Sequence, residues 1–197
     1  IDKIREIREK MREKGSDHHL LAALDDIAWT FNLRGSDIAF SPVTIAFALI
    51  SKDSASLFID ARKIKDKLRK ELTGDGIRVL PYDDIFRTLK KTDPAGSFLL
   101  SADNINTKLF KSIPETCRII QGKNIPALLK AQKNKKEREG VRNALIKDGA
   151  AVCNFLHWLE KHRGILEITE LSAADVMHDF RAKQPLFVDD SFNAIMA

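Results

Sequence analysis

Cysteine is scarce: two residues in 197, Cys117 and Cys153. They are far apart, lack CxxC spacing and sit among apolar neighbours. They read as two reduced, partly buried thiols in a reducing compartment rather than as a disulfide or a nucleophile. No apolar run approaches the ~20 residues needed to span a membrane, and the start lacks the pattern of a secretory leader. No membrane partner is expected. There is no P-loop, GxGxxG, HExxH or GxSxG, so the phosphate-cradle, dinucleotide, zinc-helix and serine-elbow chemistries have no local signature. Internal repeats and low-complexity tracts are absent too. Neither sign of charge dominates: 33 basic residues face 28 acidic ones, a net charge of +5. That balance permits contact with polyanions without arguing for it. The most basic segment, Lys123–Lys147, carries eight Lys/Arg against two Glu but no Phe, Tyr or Trp on which a base could stack. It reads as a solvated connector and helix face, with no nucleic acid partner.

What is present suits a globular chain: 44% apolar and 31% charged residues, enough length for one domain with a core and part of another. The chain opens on Ile1, not Met, and its first residues already read as helix, so a piece of a longer protein is expected. Residues 2–14 repeat Ile4, Ile7 and Met11 on one stripe. His18–Leu24 reads as a strand and Asp25–Asn32 as a short helix. Val43–Ser51 and Ser56–Ile59 read as a hairpin around Lys52-Asp53-Ser54. Residues 61–73 read as one helix with Ile64, Leu68 and Leu72 inward. Short strands (Ile77–Leu80, Ser97–Ser101, Thr116–Gln121) then alternate with short helices (Asp83–Lys91, Asn106–Lys111). This alternation predicts an α/β fold, a mixed sheet with helices on both faces. Asn124–Asn134 reads as a Pro-containing connector. From Lys135 to Lys161 the pattern is one long helix with Val141, Leu145, Val152, Leu156 and Leu159 on a face. A domain boundary is therefore placed at 134/135. Ser172 to Asp175 reads as a capping box opening a helix over Ala173–Lys183, and Leu186–Val188 and Ser191–Met196 read as strands.

The titratable residues offer little self-contained chemistry. His18 and His19 are neighbours on a strand and face opposite sides. His157 and His162 are five apart on a helix, where a zinc pair wants three or four. His178 stands alone. Surface or core imidazoles are the simpler reading for all five. Asp25–Asp26 and Asp83–Asp84 sit at helix starts, where capping accounts for them. Asp189–Asp190 reads as a turn. The densest stretch is Leu24–Asp37, LDDIAWTFNLRGSD: two acids at a helix start, a Trp, and an Arg-Gly turn in which Gly35 is expected at positive φ to stop the helix. Two readings stand for Arg34. Its guanidinium projects into a cleft and holds a carboxylate, or it pairs with a nearby acid such as Asp37.

That stretch, followed by Pro42-Val43 and a second strand, resembles the middle domain of the three-domain Xaa-Pro aminopeptidases of the creatinase/prolidase superfamily. KNKKEREGVRNALIKDGAAVCNFLHWLE resembles the helix leading into that family's catalytic domain. ITELSAADVMHDFRAKQPLFVDDSFNAI resembles the capped helix and first strand that follow. Residues 60–120 match only in pattern. Ser41 stands where the family tends to have Asn, Ala194 where Thr is usual, and Met196-Ala197 replace a small polar-Gly pair. The resemblance implies a creatinase N-terminal-like α/β domain over 1–134 and the truncated opening of a pita-bread catalytic domain over 135–197. It implies a parent hydrolase that releases an N-terminal residue from a following proline, in the cytoplasm, as a homodimer. Two divalent metal ions, usually manganese, would generate the nucleophile and polarise the carbonyl. The ligands of those ions lie downstream, so this segment carries no metal or catalytic residue and is inactive by itself. Arg34 and Asp37 are the candidates for the rim of the substrate cleft. The alternative is a non-catalytic protein-interaction module of the same fold.

Overall fold

A computed structural model describes residues 2–196; the departure at Ala197 lies outside them. The chain divides into two units. The first runs to Gln132 apart from Ala39–Ser41, which group with the second unit, Lys133 onward.

The first unit is built on a six-stranded mixed sheet, order β4-β3-β2-β1-β5-β6. Its strands are β1 (His18–Leu21), β2 (Ala46–Ser51), β3 (Ala55–Ile59), β4 (Ile77–Leu80), β5 (Ser97–Leu100) and β6 (Arg118–Gln121). The hairpin places β2 antiparallel to both β1 and β3, and every other pairing is parallel. Successive side chains alternate between faces. One face receives Leu21, Ala48, Ile50, Leu57 and Leu99 beneath α1 (Asp2–Glu13), α2 (Leu24–Phe31), α3 (Asp66–Gly74) and α6 (Ile125–Ala131). The other receives Leu20, Phe47, Leu49, Phe58, Phe98 and Leu100 beneath α4 (Asp84–Lys90) and α5 (Thr107–Phe110). The expected mixed sheet with helices on both faces is therefore what the chain forms.

Several local expectations are corrected. The first strand ends at Leu21, because Leu24 already belongs to α2, whose N-cap is Ala23 with no side-chain cap. Asp83 likewise precedes α4 without capping it. Residues 61–73 are not one helix. The Asp60 carboxylate accepts from the Arg62 N–H at 3.0 Å and tightens 61–63 into a 3-10 turn, and α3 starts afresh after extended Ile64 and Lys65. Ile64, Leu68 and Leu72 still meet one core. The supposed connector 124–134 contains α6, with Pro126 in its first turn, where a missing N–H costs no helical bond.

The second unit pairs α7 (Lys135–His162) with α8 (Glu170–Ala182) around Phe155, Ala173 and Met177. Asn134 and Glu137 form a capping box on α7. That of α8 lies three residues earlier than expected, between Thr169 and Ser172. Only part of the anticipated α7 face is covered. Val152 and Leu159 pack inward, whereas Leu145 is 66% exposed and Val141 and Leu156 are exposed too. Neither Leu186–Val188 nor Ser191–Met196 is strand, for among the described residues no neighbouring strand supplies hydrogen bonds. Cys117 is buried but Cys153 is exposed, which corrects the expectation of two partly buried thiols. Among the described residues no helix is long and apolar enough to cross a membrane.

Candidate functional site

The stretch Leu24–Asp37 folds differently from its sequence signals. Asn32 ends α2, with φ 54° and ψ 40°. The Leu33 N–H then reaches back to Ala28 O at 2.9 Å and the Asn32 N–H to Trp29 O at 3.4 Å, a Schellman closure with Leu33 buried after it. Gly35 is thus not the helix stop. Residues 35–37 run beside 42–43, Gly35 N–H donating to Pro42 O and Asp37 N–H to Val43 O, both at 3.3 Å. A Cβ on Gly35 would stand 2.8 Å from both Thr44 Cβ and Val43 O. Glycine is needed for that close approach. Gly35→Ala is expected to cost about 1–3 kcal/mol, as overpacking does, while Ser36→Ala at the exposed neighbour is neutral. Thermal unfolding of the two variants distinguishes them.

Beyond this turn Asp37 is tied down. Its Oδ2 accepts from Lys63 Nζ at 2.6 Å, the Ile45 N–H at 2.7 Å and Thr44 Oγ1 at 2.8 Å. Lys63, then the Ile45 amide and the Thr44 hydroxyl, hold its carboxyl at about 2. Arg34 is exposed and donates through Nη1 to Leu33 O at 2.7 Å. The Asp37 salt bridge offered as its simpler role is not formed; Lys63 takes that place. Arg34 and Asp37 do share a depression of about 230 Å³, with Thr44, Lys63 and the apolar Ile59 and Leu68 in its wall. A carboxylate arriving there meets one guanidinium free of ion pairing among the described residues and a partly neutralised acid.

Behind α2 lies a polar cluster that sequence reasoning missed. Asp26, 2% exposed, does not cap; it accepts from Asn124 Nδ2 at 2.8 Å and Lys130 Nζ at 2.7 Å. Asp25 takes a second bond from the same ammonium. Burial works against the Asp25 charge, but Lys130 prevails and lowers its carboxyl. His19 is fully buried. Its Nδ1 lies 2.9 Å from Leu99 O, and its Nε2 lies 3.2 Å from the Ile125 N–H. A carbonyl on one nitrogen and an amide donor on the other admit only the neutral ring protonated at Nδ1. Burial accordingly pushes His19 down to about 4. The buried Asn124 Oδ1 has no partner. The available signal was an acid inside an apolar run, which demands a cation or amide from elsewhere.

The remaining candidates stay apart. His18 lies on the opposite face of β1 from His19, with Nδ1 2.7 Å from Ser51 Oγ and its ring 4.8 Å from that of Phe98. His162 stacks on Trp158. His178 meets Asp190, so Asp190 is more than a turn residue. Among the described residues no three His, Cys, Asp or Glu side chains converge to hold a metal ion. The residues present thus do not fit a dinuclear metal centre.

Residues 1–137 match the family model of the creatinase/prolidase N-terminal domain. Xaa-Pro aminopeptidase 1 of Dictyostelium discoideum is 34% identical over 200 residues, which are 98% of this chain and 31% of that protein. The probable Xaa-Pro aminopeptidase P of Colletotrichum graminicola is 32% identical, across 98% of this chain and 33% of its own. The chain therefore spans about a third of the length of these relatives. Among solved structures, the X-prolyl aminopeptidase of Caenorhabditis elegans, described as a cytosolic enzyme with a di-nuclear active site, superposes over 100% of this chain and 33% of its own. The TM-score is 0.92, with 28% identity.

Proposed function

The chain belongs to the creatinase/prolidase N-terminal-domain family, and from that premise we propose that it is a non-catalytic segment of a metal-dependent Xaa-Pro aminopeptidase, its middle domain and the start of its catalytic domain. Residues 1–134 form its middle domain and residues 135–197 begin its catalytic domain. The parent acts in the cytoplasm, as a homodimer, on peptides with proline second. The observation that carries this reading is similarity running through both units of the chain to aminopeptidases about three times as long. The bare apolar residues of the second unit support it: Leu145, Leu186 and Val188 need a covering that residues 133–196 do not supply.

On this reading the two metal ions, manganese by preference, are held by residues outside this chain. Bound there, two such ions would provide the chemistry of a hydroxide nucleophile at neutral pH and a polarised scissile carbonyl. This chain's part is to wall the cleft. Arg34 binds a substrate carboxylate and the Lys63–Asp37 pair fixes the turn that presents it. The test is a Mn²⁺-dependent assay of the full reading frame on an Xaa-Pro-Pro peptide. Metal-stimulated release of the first residue is expected, with none from the 197-residue chain. In the full enzyme Arg34→Ala is expected to raise KM about tenfold or more, the scale of one charge-assisted hydrogen bond, and to leave kcat nearly unchanged. A full product that stays inert with metal overturns the enzyme reading and leaves an interaction module. An unchanged KM removes Arg34 from the cleft.

A further inference from the structure

His178, on α8, is a titratable group with no part in the function above. Its Nδ1 lies 2.7 Å from Asp190 Oδ2, and its ring meets Phe187 edge-on with centroids 5.5 Å apart. The other Asp190 oxygen is 3.5 Å from Arg181 Nη1, and Arg181 Nε donates to Asp148 Oδ1 on α7 at 2.7 Å. Side chains from α7, α8 and the segment after Pro185 thus alternate in charge along one line. The same segment is tied at both ends: Lys147 Nζ donates to Pro185 O at 2.8 Å, and Met196 packs against the Phe155–Met177 cluster. Between those ties residues 133–196 bury little apolar surface, since Leu186 and Val188 are 92% and 88% exposed in this chain. Within this chain the middle of the segment depends on Asp190.

We propose that His178 and Asp190 form a proton-controlled latch, which holds residues 185–190 against α7 and α8 while His178 is charged and loosens them when it is neutral. The charged groups around the ring decide its direction. Asp190 and Asp189 approach from the segment, and Asp179 and Asp175 lie on α8 itself. Asp148 on α7 is occupied by Arg181, and Lys147 on α7 is turned to the Pro185 carbonyl. Acids prevail. The Asp190 hydrogen bond first, with the charges of Asp190, Asp179 and Asp189, raises the His178 pKa against the opposing effect of burial. A group raised in the folded chain stabilises it fully below its unfolded value, about 6.5, and stops doing so as pH climbs through the folded one. A neutral ring keeps at most one N–H bond to Asp190. The charge is lost, and Arg181 at 3.5 Å is then the remaining cation on Asp190.

Hydrogen exchange of the amides of residues 186–192, corrected for the intrinsic effect of pH, reads the latch directly. Protection at pH 5.5 is expected to exceed that at pH 8.5 about threefold to fivefold, the scale of a surface ion pair. His178→Gln is expected to show the weaker protection at both pH values, with protection around Phe155 unchanged. Should His178→Gln loosen the Phe155 region as well, Asp190→Asn takes its place, with the same loss expected and the His178 ring titrating lower by NMR. Equal protection at both pH values in the unaltered chain overturns the latch. So does a pH dependence that survives His178→Gln, or Asp190→Asn where that variant replaces it.

Discussion

Asp26→Ala is expected to cost about 3 kcal/mol, the low end for removing one partner of a buried ion pair. Its carboxylate joins two elements, accepting from Asn124 at the start of α6 and from Lys130 near its end while standing in the first turn of α2. Without it the Asn124 amide has neither acceptor nor donor satisfied, since Oδ1 is already without a partner. Lys130 keeps Asp25 and reaches solvent through its quarter-exposed side chain, which places the cost at the lower limit. For a domain of this size the melting temperature falls by roughly 10 °C. Asp26→Asn, which retains a hydrogen-bonding partner for Asn124 but not the charge, falls between. A double-mutant cycle with Asn124→Ala is expected to be sub-additive by about 1 kcal/mol, because both changes remove the same bond. Urea titration checks each figure. Additive effects, or a loss under about 1 kcal/mol, would show that α6 is held by Ile125 and Leu129 in the apolar core instead.

The contrast between what was legible and what was not follows sequence separation. The sheet was legible because each strand carries its own signal. AFALI is a β-length apolar run closed by Ser51-Lys52-Asp53, and it is buried on both faces as such runs are. The stop of α2 was misread because two residues could have supplied it. Asn32 tolerates the left-handed region as glycine does, so the visible Gly35 was credited with a role that Asn32 fills. The capping box of α8 was misplaced for a similar reason, since Thr169 and Ser172 each suit an N-cap and only packing chooses. Leu186 and Val188 alternate like a strand, yet a strand needs a neighbour for its backbone groups, and local pattern does not reveal that none comes from the described residues. The candidate site divides likewise. Arg34 and Asp37 announce themselves as turn chemistry, but Lys63, which neutralises Asp37, lies 26 residues on. The partners of His19 and Asp26 across α6 lie about a hundred residues away. Nothing local marks such pairs beyond the demand of a buried polar group for company.

Acidification is expected to weaken the first unit well before its carboxylates titrate, and His19 is the cause. With Nδ1–H on Leu99 O and Nε2 facing the Ile125 N–H, a second proton would set two donors against each other in a site with no solvent. The ring therefore stays neutral down to about 4 in the folded chain, whereas the unfolded chain protonates it near 6.5. Between those values the unfolded state binds more protons, so stability is full above pH 6.5 and drains away as pH falls toward 4. The loss totals about 3 kcal/mol at 1.36 kcal/mol per unit. Asp37, held at about 2, acts in a separate window below pH 4, so the two contributions can be told apart in one titration. His19→Gln offers a carbonyl for the Ile125 N–H and an amide for Leu99 O and does not titrate. Urea midpoints for that variant are expected to fall much less between pH 6.5 and 4 than those of the unaltered chain, the residual slope belonging to His18, whose pKa burial also lowers. If the variant keeps the slope of the unaltered chain, the acid sensitivity belongs to another group and His19 is only a packed ring.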